Sequence, residues 1–518
     1  MANAKIVWVD DEIDGLKSLQ IFLVQKGYEV TTFTNGFDAI EAIKENQPDV
    51  VLLDESMPGI SGLETLSKIK AIYPLTPVVL ITKNETENLM EEAIGSKISD
   101  YLIKPVHPNQ VLLCLKKILD NKRLIAEKTV TDYQQEFRHL FTALNDKPDH
   151  NEWMDIYKKL VYWELEMEKS NSPEMQEILQ TQKQDANAEF FKFISKNYLD
   201  WMRDDTIDKP IMSNNLLKEK VLPLLEDDVP VFFILIDNLR FDQWKTIQPL
   251  FADLFKIVKE DSYYSILPTA TQYCRNAIFS GLMPVEIEKK FPNQWKNDEE
   301  EGGKNLHEED FLASFIGRLQ KKDIKFSYTK VVNNHEAQHL VSHIHDMLNN
   351  DLNVIVYNFV DMLSHSRTEL EVLKELAGDE IGYRSITKSW FEHSSLKQAL
   401  KKIAGKKIKL VITTDHGSVQ VCTPYKIIGD KQTTANLRYK HGRNLNFNAK
   451  DVLSFRNPQE AGLPSPNVNS SFVFAKEDGF LCYPNNYNYY VNFYKSTFQH
   501  GGVSLEEMIV PVIQLESK

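Results

Sequence analysis

The sequence predicts an α/β protein in three parts: a doubly wound five-stranded domain over residues 1–120, a three-helix bundle over 121–208 and a large α/β domain over 209–518. Three observations carry this. Short β-branched runs alternate evenly with helical patterns over the first 120 residues, helical periodicity alone follows, and strand and helix signals then alternate to the end. A chain of 518 residues also exceeds what one core supports.

Bulk properties narrow the function. Apolar content of 42% with 26% charged residues is ordinary for a globular protein. The 60 basic against 74 acidic residues leave a net charge of −14, which argues against a surface that coats nucleic acid or an anionic membrane. The opening MANAKIVWVDDE lacks a basic region followed by an apolar one, and no apolar run reaches the roughly 18 residues of a membrane span; the expected location is cytoplasmic. Cys114, Cys274, Cys422 and Cys482 form no CxxC pair and read as buried thiols of a reducing compartment.

In the first domain KIVWV, VTTF, VVLL, VVLIT and YLI read as the five strands of a parallel sheet. Chemistry collects at their ends: Asp10 and Asp11 after the first, Asp54 after the third, Thr82 after the fourth and Lys104 after the fifth. Three carboxylates at one edge repel one another unless a hard divalent cation joins them, and magnesium prefers such an oxygen site. With LLDESMPGISG around Asp54, the aromatic Tyr101 and the pair Lys104-Pro105, this stretch resembles the response-regulator receiver family. The resemblance implies phosphoryl transfer from a sensor histidine kinase to Asp54. It also implies Mg2+ held by Asp10, Asp11, Asp54 and a backbone carbonyl at Ser56, and a switch through Thr82 and Tyr101 that alters a dimerising face.

The middle stretches EKTVTDYQQEFRHLFTAL, EWMDIYKKLVYWELEMEK and PEMQEILQTQKQDANAEFFKFISKNYLDWM carry helical spacing and are parted by NDKPDHN and SNSP. They are long and acidic outside, unlike a basic recognition helix, so a spacer or dimerisation element is expected rather than DNA binding. Trp153, Tyr157 and Trp163 read as core.

In the last domain three apolar runs stop at carboxylates: FFILID on Asp237, VIVYNFVD on Asp361, and VITTDHGS on Asp415 and His416. These read as buried parallel strands delivering ligands to one sheet edge. His365 follows Asp361 by four residues, and His500 stands in QHGGVSLEEMIVPV. Three aspartates with three histidines suit zinc or manganese, and the expectation is a two-metal hydrolase site. In SILPTATQYCRNAIFSGLMP, Thr271 stands where a turn enters a helix, and metal coordination makes such a hydroxyl a nucleophile.

These motifs, over about residues 220–518, resemble the alkaline phosphatase superfamily, particularly its PglZ branch and the nucleotide pyrophosphatase/phosphodiesterases. The resemblance implies two Zn2+, one held by Asp237, Thr271, Asp415 and His416, the other by Asp361, His365 and His500. The pattern P-T-x-T then T-G-x-x-P is met with Ser280 in place of the later threonine. Cys274 stands where the phosphodiesterases place a phosphoryl-binding asparagine, and Arg275 where sulfatases and phosphonate monoester hydrolases keep an arginine; Arg275 and Asn276 are the candidates for holding phosphate oxygens.

The order of the three parts resembles the PorX-type response regulators, associated with type IX secretion. That implies a kinase partner, a phosphorylation-dependent homodimer, a transcription or secretion-system partner, and a zinc phosphodiesterase acting on nucleotides or short or cyclic oligonucleotides. The other function class is a catalytically silent adaptor switched by phosphorylation. HEAQH, His335 to His339, matches a zinc-protease signature, with Glu336 as its base and His343 one turn on, but reads better as a plain amphipathic helix.

Overall fold

The computed structural model describes residues 4–518 apart from 75, 84–97, 171, 205, 228, 320–322, 363–377, 431–432 and 466–468. The chain divides into two compact units, Met1–Gln135 with Lys169–Ser172, and Glu136–Glu168 with Pro173–Lys518.

The first unit holds the strands β1 (Lys5–Val9), β2 (Glu29–Phe33), β3 (Val50–Asp54), β4 (Val78–Thr82) and β5 (Asp100–Ile103). They pair in parallel in the order β2-β1-β3-β4-β5. Alternation along the strands splits the apolar residues into two layers. Val7, Val9, Val51, Leu53 and Leu80 face one way, and Ile6, Trp8, Leu52, Val79 and Ile81 the other. Covering both faces is why the central strands read as unbroken apolar runs. Gly62 opens the helix Gly62–Ile72 against the end of β3, where a Cβ would lie 2.4 Å from the Asp54 carbonyl oxygen. No other residue fits that approach.

In the second unit the sheet runs β7-β19-β10-β6-β9-β8, built from β6 (Val231–Ile236), β7 (Phe255–Tyr264), β8 (Phe326–Val331), β9 (Leu352–Tyr357), β10 (Lys409–Thr413) and β19 (Ile509–Ser517). Strands β8, β9, β6 and β10 are parallel, whereas β19 runs antiparallel to both β10 and β7. The intervening chain forms smaller sheets from β11 (Val419–Gln420), β12 (Thr423–Ile428), β13 (Tyr439–Arg443), β14 (Asn446–Phe447), β15 (Val452–Phe455), β16 (Ser470–Ala475), β17 (Gly479–Cys482) and β18 (Phe498–Gln499). One reading shifts: β9 ends at Tyr357, so VIVYNFVD does not reach Asp361 as a strand. The chain turns helical from Phe359, and Asp361 is presented from that turn.

The helices Asn121–Asn145, His150–Ser170 and Pro173–Arg203 lie where the periodicity places them. Trp153, Tyr157 and Trp163 are buried. Residues 173–203 belong to the same compact unit as the large sheet. Polar groups fasten them there: Tyr198 Oη accepts from the Leu267 N–H at 2.9 Å, and Asn187 Oδ1 accepts from the Leu505 N–H at 2.8 Å. A buried ion network does the rest. Glu164 meets Lys183 at 2.7 Å and Arg384 at 2.8 Å, and Arg384 also reaches Asp242 at 3.1 Å. Among the described residues no helix is long and apolar enough to cross a membrane.

Candidate functional site

The edge of the first sheet gathers the expected residues. Asp10 and Asp54 are buried, Asp11 is exposed, and one carboxylate oxygen of each lies within 4.8 Å of the others. Lys104 Nζ stands 2.9 Å from Asp10 Oδ2 and 2.8 Å from Asp54 Oδ1. Burial raises the Asp54 pKa, Lys104 pulls it back, and the charge of Asp10 adds to the rise. Burial works against the Lys104 ammonium too, yet its bonds to Asp10 and Asp54 leave its pKa raised. Thr82 Oγ1 donates to Glu55 Oε2 at 2.8 Å, and Tyr101 is 41% exposed, directed outward. Ser56 lies in the loop after β3. An all-carboxylate set fits Mg2+, with Asp10, Asp11 and Asp54 as its ligands.

The second cluster is built at the ends of β6 and β10. Asp237 follows β6 directly, and Asn238 at φ 61° turns the chain away at once. Asp415 and His416 follow β10, and Gly417 lets the chain pass where a Cβ would lie 2.0 Å from the Glu506 carbonyl oxygen. Thr271 is the first residue of the helix Thr271–Ser280, so its hydroxyl sits among unpaired backbone N–H groups at a positive helix end. Its Oγ1 is 3.0 Å from His416 Nε2 and 3.4 Å from Asp237 Oδ1.

The other candidate metal-site residues lie around it. Asp237, Asp415 and His416 bring ligand atoms within 4.8 Å of one another. His500 Nε2 is 3.6 Å from Asp361 Oδ1, and the rings of His416 and His500 stack with centroids 4.2 Å apart. His365 lies outside the described residues. Each imidazole turns Nδ1 to a backbone carbonyl, His416 to Gly417 at 3.1 Å and His500 to Thr269 at 3.1 Å. An Nδ1–H donated there leaves both Nε2 lone pairs facing the cluster.

Electrostatics fit a cation. Burial lifts Asp237 well above the usual carboxylate range, and Asp415 and Asp361 add to the lift against Arg275. Burial, with His416 beside it, pushes His500 down to about 4, so its imidazole is neutral at pH 7. Buried carboxylates crowding one another beside the His500 imidazole are what a divalent ion relieves.

Arg275 and Asn276 do not face an open site, contrary to their expected role at phosphate oxygens. Arg275 is fully buried behind the ligands: it pairs with Asp237, reaches Asp415 Oδ2 at 3.0 Å and donates to Asn358 Oδ1 at 3.1 Å. Asn276 donates to the Lys304 carbonyl at 3.2 Å and accepts from Asn305 at 3.1 Å. Cys274 points into the core toward the carbonyls of Ile266 and Pro268, both at 3.3 Å, and burial pushes its thiol up to about 12. Three residues escaped the sequence reading. Asn238 Nδ2 approaches Asp361 Oδ1 at 3.5 Å, Asn358 holds Arg275, and buried Glu308 lies 3.5 Å from Arg275 Nη1. Position was the available signal for the two asparagines, Asn238 two residues past the end of β6 and Asn358 one residue past the end of β9. Of HEAQH on the helix Asn334–His343, His335 and His339 are exposed and Ala337 is buried; Glu336 accepts from the Val332 N–H and His339 stacks on His343.

Known families match in the same order. Residues 6–116 match the response regulator receiver domain, 123–202 the PorX response regulator linker domain, and 216–515 the BREX system PglZ alkaline phosphatase-like domain. The transcriptional regulatory protein ZraR of Klebsiella oxytoca is 38% identical over 127 residues, 24% of this chain and 28% of that protein. The chemotaxis protein CheY of Thermotoga maritima is 30% identical over 115 residues, 22% of this chain and 96% of that protein. A solved structure of Vibrio cholerae CheY4 shares 28% identity, covers 23% of this chain and all of its own, and scores a TM-score of 0.22. The chain thus spans only about 28% of a full-length regulator such as ZraR. With receiver, linker and PglZ matches in that order and the last taking in more than half of the residues, the chain belongs to the PglZ alkaline phosphatase-like family in its PorX-type, receiver-bearing form.

Proposed function

We propose that phosphorylation of Asp54 by a sensor histidine kinase controls dimerisation and a zinc-dependent phosphodiesterase that acts on nucleotides or short or cyclic oligonucleotides, in the regulation of type IX secretion. One observation carries the catalytic part: a threonine hydroxyl at a helix N-terminus, 3.0 Å from His416 Nε2 and 3.4 Å from Asp237, inside a ring of carboxylates and imidazoles. Asp237, Thr271, Asp415 and His416 would hold one Zn2+, and Asp361, His500 and His365 the other. Bound there, two zinc ions supply Lewis acidity that lowers the hydroxyl pKa and draws off charge from the phosphoryl and leaving oxygens.

The chain's own residues do the following. Thr271 releases its proton to water and its oxygen attacks phosphorus in line, breaking the bond to the leaving alkoxide on the opposite side, which takes a proton from water. Arg275 fixes the directions of Asp237 and Asp415 from behind and acts as a positioning residue. The backbone carbonyls at Gly417 and Thr269 hold the two imidazoles in the tautomer the site needs. Water then hydrolyses the threonyl phosphate and restores the hydroxyl.

The test uses the zinc-loaded full chain with and without beryllofluoride on Asp54, measuring hydrolysis of a small nucleotide diester and mass by light scattering. A beryllofluoride-dependent dimer and a changed rate are expected. Absence of hydrolysis with both metals bound would favour the phosphorylation-switched adaptor instead.

A further inference from the structure

Lys440 is a buried cation that the catalytic reading does not use. Strand alternation sends its neighbours Tyr439 and His441 to the face they share with Phe472 of the paired β16, with His441 stacked on that ring at 4.3 Å. Lys440 faces the other way, 1% exposed, into a cavity of about 580 Å³. Its Nζ donates to the Thr434 carbonyl at 2.9 Å and lies 4.6 Å over the Tyr483 ring. Among the described residues it forms no ion pair. An ammonium desolvated without a counter-charge is costly, and burial pushes its pKa down to about 7.

The rest of the lining says what would offset that cost. Tyr483, Tyr490 and Tyr494 form an aromatic wall, in which Tyr490 and Tyr494 stand 6.1 Å apart with ring planes 13° from parallel. Tyr490 is 40% exposed, so the wall is reachable from solvent. Asn485 adds an amide able to both donate and accept, Leu481 an apolar contact, and Asp430 a carboxylate whose Oδ1 accepts from the Thr433 hydroxyl at 3.2 Å. The volume suits a small ligand, the rings suit a planar π-face, and the ammonium suits an anion. None of the candidate metal-site residues lines the cavity.

We propose that this cavity is a second, non-catalytic ligand site that takes a nucleoside monophosphate, its base against the tyrosines and its phosphate at Lys440. The inference stands without the hydrolase reading. AMP binding to the full chain is measured by equilibrium dialysis in the parent, Lys440→Met and Tyr490→Ala proteins, and again after zinc removal. AMP is expected to bind the parent at least tenfold tighter than adenosine and to survive zinc removal. Lys440→Met is expected to weaken it tenfold or more and Tyr490→Ala severalfold, with diester hydrolysis unchanged in both. Lys440→Met trades a buried charge for an apolar chain and should fold; if it does not, the exposed Tyr490→Ala decides. Four results would overturn the proposal: no AMP binding, binding lost with zinc, adenosine binding as tight as AMP, or binding indifferent to the substitutions.

Discussion

The molecule gathers aspartates at the carboxyl ends of parallel strands twice, and the two clusters differ in where the counter-charge stands. In the receiver, Lys104 reaches Asp10 and Asp54 from a half-open edge beside exposed Asp11. In the PglZ domain, Arg275 is fully buried behind Asp237 and Asp415, and the front is left to Thr271, His416 and His500. A lysine on a flexible stem can leave a carboxylate for an incoming phosphoryl group; a guanidinium locked by four partners cannot. A cation in front of a cluster takes part in its chemistry, whereas one behind it is scaffold.

The sharpest way to break that comparison is at its functional ends. Asp54→Asn should abolish phosphorylation by a small phosphodonor, read as loss of the mass increment, while leaving diester hydrolysis by the zinc-loaded protein measurable. Next comes the scaffold. Arg275→Met strands buried Asp237 and Asp415, a loss of about 3–5 kcal/mol on the scale of broken buried ion pairs, visible in thermal unfolding together with a lower zinc content. The front cation should behave oppositely. Lys104→Met removes a competitor of the metal and should tighten Mg2+ binding by about tenfold, from roughly 1.4 kcal/mol of relieved repulsion in a partly solvated site. Equal behaviour of the two variants toward their metals would erase the distinction.

An acid outside both clusters sharpens the contrast through stability rather than metal binding. Half-buried Asp298 receives the hydroxyls of Tyr273 and Tyr439 at 2.8 and 3.1 Å, and burial raises its pKa to about 6. The folded chain therefore keeps this proton up to about pH 6, while the unfolded chain releases it near pH 4. Between those values the folded state binds more protons, so this group's contribution falls as pH rises through the window, by about 1–3 kcal/mol at most. Asp298→Asn should flatten that part of the stability profile.

Much of this was legible in the sequence. The strands β1, β3, β4, β6 and β10 are buried on both faces, which leaves unbroken apolar runs, and the chemistry sits at their last residue or within three residues after it. Asp361 was placed at the right edge but on the wrong element, because Asn358 to Val360 is apolar enough to read as strand while the backbone has already turned helical. The short strands β11–β18 left no comparable signal, since two- to six-residue pieces pair through backbone groups that any side chain supplies. Arg275 was misread for a further reason. Composition and spacing mark a cation near phosphate chemistry, but only packing shows that its guanidinium is already spent on Asp237, Asp415 and Asn358.

The most direct test of the account is Thr271→Ala in the zinc-loaded full chain, with metal content and hydrolysis of a nucleotide diester measured on the same sample. The account predicts zinc largely retained and turnover reduced on the order of 10⁴-fold or more, as for loss of a nucleophile. Turnover within tenfold of the parent with zinc in place would contradict it, and would remove Thr271 from the chemistry.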